Sequence, residues 1–468
     1  MVLGGARQKG GCPVKKRMIS VFLAAFFLAA APGDASAFWP FDRPQPQAPP
    51  APAPVYKGLT LEAAYKLALK RSETVAMSRS EIEEARGRFY QGLTYILPDV
   101  HFVMTRFDQE AGYHGTGEGE SSSSGGEGAS ANALRPSIPL KKFTFHQPLF
   151  SGFKEFAALT GGGADRKSQE FKYQRAKELL WLDVSDSFYT LLQAREDLKV
   201  LQEAHDSMAQ RLEDLNERMK VGRSRTSEVQ SSTADQKLID AELAAARRIE
   251  KTTRELFEFY IGQPLIEELD DALDLGAEIS NSLYYVGRSA RRSDVMAAEQ
   301  DYVLAQKKVI SAQAGFFPSI YLDGNYYTHR TGFTSGIDWD TTLTFDVPIF
   351  DGMDTIGKVR ESASQKDQAR FAFEKSRRMA ALEAQQQFDS YETRLEEEKY
   401  YREAKDAARE SYRLQTEDYR HNLVNNLEVL DSLRRYQDIS RGWTSALYEA
   451  KKEYWALKVS AGDLEAKL

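Results

Sequence analysis

One programme of residue patterns occurs twice in this 468-residue chain, and the duplication limits the fold more than any single motif does. Gln147-Pro148-Leu149-Phe150 with Gly152 returns 200 residues later as Val347-Pro348-Ile349-Phe350 with Gly352. Val221-Gly222 followed by Glu228-Val229 returns at the same spacing as His421-Asn422 followed by Glu428-Val429. Pro98 before Asp99-Val100 answers Pro318 before Ser319-Ile320, here at a spacing of 220. The first copy therefore holds about 20 extra residues between its two prolines. They fall at Gly112 to Ser130, a run of Gly, Ser and Glu with almost nothing apolar, which reads as a loop without a packed core.

Within each copy the apolar period switches from helical to strand-like and back, and prolines stand at the switches because proline disfavours helix in the residue before it. Each copy reads as helix, strand, loop, strand, very long helix, turn, helix. From Val184 the apolar positions run Phe188, Leu191, Leu198, Leu201, Met208, Leu212, Leu215 and Met219, the three- and four-residue steps of a coiled-coil seam. The return helix continues with Val229, Ile239, Leu243, Ala246, Ile249, Leu256 and Tyr260. In the second copy Leu427, Leu430, Leu433, Leu447, Ala450, Tyr454 and Leu457 do the same. An unbroken helix from Lys154 to Met219, at ~1.5 Å per residue, would span about 100 Å, beyond any ordinary globular core. A coiled-coil rod would satisfy the helices alone.

The strands point elsewhere. Ile337, Trp339, Leu343, Phe345 and Val347 share one face while Asp338, Asp340, Thr342, Thr344 and Asp346 share the other. Ile320, Leu322 and Tyr326 alternate with Asp323, Asn325 and His329, and Phe143 and Phe145 alternate with Lys142, Thr144 and His146. Strands of about ten residues with one apolar and one polar face are the signature of a membrane barrel with a wet lumen. On that reading Phe143, Phe145, Ile320, Leu322, Trp339, Leu343 and Phe345 face lipid. A half-buried soluble sheet gives the same alternation, but not joined as hairpins to helices of this length. Four strands cannot close a barrel, since the smallest membrane barrels use about eight and an open edge in lipid leaves backbone groups unpaired. The chain must then oligomerise: two copies would give a filled barrel and three a barrel with a lumen, a choice the alternation leaves open.

Lys15, Lys16 and Arg17 precede an apolar stretch from Met18 to Ala31 that ends at Ala35-Ser36-Ala37, the pattern of an export signal cleaved after Ala37. A membrane anchor would need about 20 apolar residues. Cys12 lies ahead of the apolar stretch and so cannot be a lipidated cysteine behind it; the exported chain would carry no thiol or lipid, which suits an oxidising periplasm. The expected organisation is a signal peptide over 1–37, a proline-rich linker over 38–57, copy one over 58–262, a connecting segment over 263–288 and copy two over 289–468. Charge is mildly acidic, 69 Asp and Glu against 62 Lys and Arg, with no basic patch of the kind a nucleic-acid binder carries. The six histidines form no H-x-x-x-H pair, Gly161-Gly162-Gly163 lacks the lysine and serine of a phosphate loop, and no G-x-S-x-G is present. No enzyme activity, cofactor or metal is therefore expected.

From Leu59 to about Gly462 the sequence resembles the TolC family of outer-membrane efflux proteins. The carriers are the strand starts at Pro98 and Pro318, the strand ends at Gln147 to Gly152 and Val347 to Gly352, and the segments VGRSRTSEVQ from Val221 and HNLVNNLEVLD from His421. The resemblance implies a mixed α+β membrane protein: a long α-helical coiled-coil barrel joined to a small transmembrane β-barrel, with four strands per chain and twelve in a homotrimer. It implies an exit duct of a tripartite efflux or type I secretion system, meeting a periplasmic adaptor protein and an inner-membrane pump. Glu428 and Asp431, three residues apart on one helix face, match the acidic positions that ring the periplasmic constriction, where summed charge favours cations. Tyr419 matches a tyrosine that latches the closed state, with Glu228 its acidic partner across the tip. Val221, Gly222 and Arg223, with His421 and Asn422, match the turns that touch the adaptor. Ordinary polar residues on a solvated helix end, and a plain turn glycine, would look the same. The sequence departs from the family at Val424, where an arginine of the latch is expected; Arg225 could supply that charge from the other hairpin. A periplasmic coiled-coil scaffold or adaptor without a pore is the alternative.

Overall fold

The structure, a computed structural model, describes residues 58–108, 137–275, 280–330, 336–421 and 423–464, all within one unit, Tyr56–Leu468. The expected signal peptide, the linker, the Gly112 to Ser130 loop and Asn422 lie outside the described residues. In chain order the elements are β1 (Leu59–Thr60), α1 (Leu61–Arg71), α2 (Glu73–Gly92), β2 (Asp99–Asp108), β3 (Ser137–Ser151), α3 (Lys154–Lys220) and α4 (Thr226–Ile261). There follow β4 (Leu269–Asp270), α5 (Ser282–Ser289), α6 (Ser293–Gln313), β5 (Ser319–His329), β6 (Trp339–Asp346), α7 (Asp354–Arg420) and α8 (Asn426–Ser460).

α3 and α7 are unbroken helices of 67 residues each and begin 200 residues apart. At ~1.5 Å per residue each is about 100 Å long, the length the seam implied. Both start behind a left-handed pair, Gly152-Phe153 and Gly352-Met353, with φ between 66° and 76°. For Phe153 the left-handed conformation costs roughly 1–2 kcal/mol. Edge-to-face contacts of its ring with Phe150 and Phe317, at 5.2 and 5.4 Å, offset that cost where strand turns into helix.

Two local features differ from the sequence reading. The single helix expected before β2 is two, because Ser72 takes extended ψ of 115° and its hydroxyl accepts from the Val75 amide, ending α1 and capping α2. The connecting segment carries elements that the sequence reading did not specify: β4 pairs in parallel with β1 through Leu59↔Leu269, and α5 begins at Ser282.

Each half of α3 has its own neighbours. Its first half packs on α2 and α6, where Arg88 donates to both oxygens of Asp165 at 2.7 and 3.0 Å and Ser168 donates to Asp301 at 2.6 Å. The glycine run belongs to this contact, since a Cβ on Gly162 would sit 2.7 Å from a ring carbon of Phe89. The second half packs on α4 and α8 through Leu201, Met208, Ile239, Leu243, Leu430 and Leu433. Between them lies an aromatic girdle. The Trp181 indole, fully buried, meets Tyr65 at 5.0 Å and Trp455 at 4.9 Å, tying α1, α3 and α8 in one cluster with Phe188 and with Phe257 of α4. A smaller cluster of Tyr285, Phe388, Tyr391 and Leu457 ties α5, α7 and α8. Arg292, 3% exposed, stands beside it with both Asp294 oxygens at 2.7 and 2.8 Å and Glu383 at 2.6 Å, the full pairing a buried cation requires. Trp181→Ala should lower conformational stability by about 3–5 kcal/mol in denaturant or thermal unfolding, while an unchanged midpoint would show that the girdle is not a core.

Candidate channel surfaces and helix tips

The four long strands form one antiparallel sheet in the order β2-β3-β5-β6. Its register decides which side chains share a face. Phe102 pairs with Phe143, Phe143 with Tyr326, and Tyr326 with Trp339, a continuous aromatic row across all four strands. Val100 pairs with Phe145, Leu322 with Leu343, and Ile320 with Phe345 on the same face. Every strand residue expected to face lipid, Phe143, Phe145, Ile320, Leu322, Trp339, Leu343 and Phe345, therefore lies on one side of the sheet. That side is open: Phe102 is 55% exposed, Leu343 66% and Phe345 64%. An apolar patch of this breadth marks a surface that meets something other than water. No described helix is long and apolar enough to cross a membrane.

The opposite face is polar and internally bonded. Lys142 Nζ donates to Asn325 Oδ1 at 2.8 Å, Asn325 Nδ2 donates to Asp340 Oδ1 at 2.7 Å, and the Tyr327 hydroxyl donates to Asp340 Oδ2 at 2.8 Å. His146 Nδ1 lies 2.6 Å from Asp323 Oδ1. These bridges run from β3 to β5 and from β5 to β6, so the face is braced across strands by groups that also suit a wet surface.

At the far end of the long helices the turn from α3 to α4 is a Schellman motif: Gly222, at φ 72°, donates to the Met219 carbonyl at 3.0 Å, and Arg223 donates to the Arg218 carbonyl at 2.8 Å. At the second tip His421 donates to the Asp418 carbonyl at 3.1 Å and Leu423 to the same carbonyl at 3.0 Å. Val221 and Leu423 stand 69% and 73% exposed. Glu228 and Glu428 occupy the same position in their hairpins, the third residue of the return helix. Glu228 accepts from the Ser224 hydroxyl at 2.6 Å and the Arg225 amide at 3.3 Å. Glu428 accepts from Asn425 Nδ2 at 2.9 Å while its own amide donates to Asn425 Oδ1 at 3.1 Å. Asp431, exposed on the same face of α8 as Glu428, has Arg435 3.8 Å away one turn on.

Tyr419 and Glu228, matched as latch partners, are engaged elsewhere. The Tyr419 ring lies under two guanidinium groups of α3, with Arg211 at 4.3 Å and Arg218 at 4.7 Å from its centroid. Arg211 Nε donates to Asn426 Oδ1 at 2.7 Å, and Asn426 Nδ2 donates to the Ser232 hydroxyl at 3.1 Å. Sequence reasoning missed Arg211, Arg218, Asn426 and Ser232. The available signal was a pair of arginines seven apart on α3 at the level of Tyr412 and Tyr419, seven apart on α7. Among the described residues no group of three or more His, Cys, Asp or Glu side chains is placed to hold a metal ion.

Residues 288–462 match the family described as outer membrane efflux protein, in keeping with the resemblance to the TolC family. The outer membrane protein OprJ of Pseudomonas aeruginosa is 29% identical over 149 residues, 31% of each chain. Nodulation protein T of Rhizobium leguminosarum bv. viciae is 24% identical over 173 residues, 36% of each chain. The matched stretches thus span about a third of the length of these curated relatives. The outer membrane protein VceC of Vibrio cholerae shares the fold at a TM-score of 0.72 and 18% identity, over 86% of this chain and 96% of its own.

Gly222→Ala isolates the turn geometry, because an added Cβ there meets nothing within 4 Å and only the left-handed backbone is strained. At ~1 kcal/mol, amide exchange at Arg223 should quicken roughly fivefold relative to the unchanged protein. Unaltered exchange would mean that the turn is not held as described.

Proposed function

We propose that this chain is one subunit of a trimeric exit channel that crosses the outer membrane and reaches into the periplasm, a passive conduit without chemistry of its own. The observation that carries this reading is the sheet, whose exposed apolar face backs a polar face with satisfied side chains, and whose outer strands β2 and β6 have no second partner among the described residues. Lipid covers such a face, and neighbouring copies pair such edges, better than water does. The match to outer membrane efflux proteins supports the same reading for the C-terminal half, and the fold shared with VceC supports it for the architecture. The two halves then act as two copies of one unit, each giving two strands to the barrel and one long helical hairpin to the periplasmic cylinder.

In this scheme residues 1–37 direct export and are removed, no lipid is attached, and the tips at Val221, Gly222, Arg223, His421 and Asn422 meet a periplasmic adaptor that links the channel to an inner-membrane pump. Tyr419 and Glu228 belong to the closed end. Glu428 and Asp431 face the constriction as an acidic ring, tempered by Arg435 beside Asp431. A pore-free periplasmic scaffold is the weaker reading, because it would leave the apolar sheet face in water.

Glu428→Gln combined with Asp431→Asn should lower cation preference in planar-bilayer recordings of the purified trimer, by a shift in reversal potential under a salt gradient. Selectivity equal to that of the unchanged channel would remove the ring from this account, and no conductance in either form would remove the channel.

A further inference from the structure

We infer that the two tip hairpins are tied together by one polar cluster with a contributor from each of four helices, in which the ring face of Tyr419, not its hydroxyl, makes the tie. This rests on the reading of the tips as the closed end of a channel. The members are Arg211 and Arg218 of α3, Ser232 of α4, Tyr419 of α7 and Asn426 of α8.

The chain of contacts is continuous. Arg211 and Arg218 stand seven residues apart, about two turns of α3, so both reach the same side of the helix and the same ring at 4.3 and 4.7 Å. Among the described residues the Tyr419 hydroxyl meets no hydrogen-bond partner. A hydroxyl-to-carboxylate latch would use Glu228, but that carboxylate already accepts from Ser224 and Arg225 in its own turn. The ring has what the hydroxyl lacks: two cations over a quadrupole whose negative face attracts them.

Arg211 is the joint. Its Nε donates in the guanidinium plane to Asn426 at 2.7 Å, which leaves the flat face of the group for the ring. Asn426 is only 4% exposed and passes the link to Ser232, itself fully buried, at 3.1 Å. Among the described residues no carboxylate stands within ion-pair distance of Arg211; burial pulls its pKa down, and Asp214 acts on it only at longer range. A cation partly removed from water in this way is held by the ring and the amide, and loss of either partner frees it to water. Because Asn426 opens α8 two residues before Glu428, the same joint positions the start of the helix that carries the acidic ring. A lysine at 211 has no Nε in a rigid plane and cannot stack and donate at once. Arg211, Arg218, Asn426 and Ser232 are thus positioning residues, acting on the closed end through Tyr419.

Single-channel conductance of the purified full-length trimer in planar bilayers tests the tie, with trimer content checked by heat-dependent migration on gels. Tyr419→Leu and Asn426→Leu should each raise conductance several-fold over the unchanged channel, Arg211→Lys should raise it by an intermediate amount, and Tyr419→Phe should restore it to within about twofold of the unchanged channel. If Tyr419→Phe opens the channel as far as Tyr419→Leu, the hydroxyl makes the tie and the inference is overturned while the channel reading stands. If Tyr419→Leu and Asn426→Leu form trimers with unchanged conductance, the cluster does not hold the tips and the inference is likewise overturned. If no form conducts, the channel reading itself fails and the inference falls with it.

Discussion

A β-sheet ends in strands whose outward amides and carbonyls have no partner, and in lipid each such group is destabilising by several kcal/mol because no water reaches it. Among the described residues those strands are β2 and β6, at either side of a sheet four strands wide. The same sheet turns an aromatic and aliphatic row outward and ties its other face together through Asn325 and Asp340. Apolar covering on one side, water on the other and sister strands at both edges satisfy all of these groups together. Association of several copies follows from that condition, three being the number the family resemblance implies, and in the proposed channel the 67-residue helices leading away from β3 and β6 continue the wall into the periplasm.

Rigidity is distributed unevenly along those helices. Near the sheet, small residues let α3 lie close to α2 and α6, and at mid-length Trp181 and its neighbours fix four helices in one buried cluster. Beyond the girdle the seam thins to alternating leucines and isoleucine, and at the tips the buried polar groups Ser232 and Asn426 join the apolar Leu215, Val229 and Val429. In the proposed channel, packing of this kind places the more easily opened end of the rod at the tips. Glu228 and Glu428 are each bonded within their own helix-start turns, so in the proposed acidic ring Glu428 is already fixed by its turn.

Much of this could be read from residue order because it rests on periods. Three- and four-residue steps located α3, α4 and α8, the internal repeat implied α7, and alternation located the sheet face from Phe143 to Phe345, since one register error would have scattered those residues over both sides. What escaped was what no period encodes. The break at Ser72 depends on a single side chain turning back to cap Val75. The β1–β4 pair joins two residues to two others 210 positions away and leaves no pattern in either. The Arg211–Asn426 contact joins residues 215 apart in helices that do not adjoin in sequence, and its members look like ordinary solvated positions until the helices are assembled. A family likeness pointed to Tyr419, but not to Arg211 and Arg218, whose guanidinium groups lie over its ring.

The most direct test of the central claim is the mass of the protein part of the particle formed by the exported chain, measured by light scattering after membrane extraction, with and without detergent. The account predicts a particle of three chains that stays in solution only while detergent covers the sheet. A stable, water-soluble single chain without detergent would contradict it, because the edges of β2 and β6 and the face from Phe102 to Trp339 would then need neither lipid nor a sister chain.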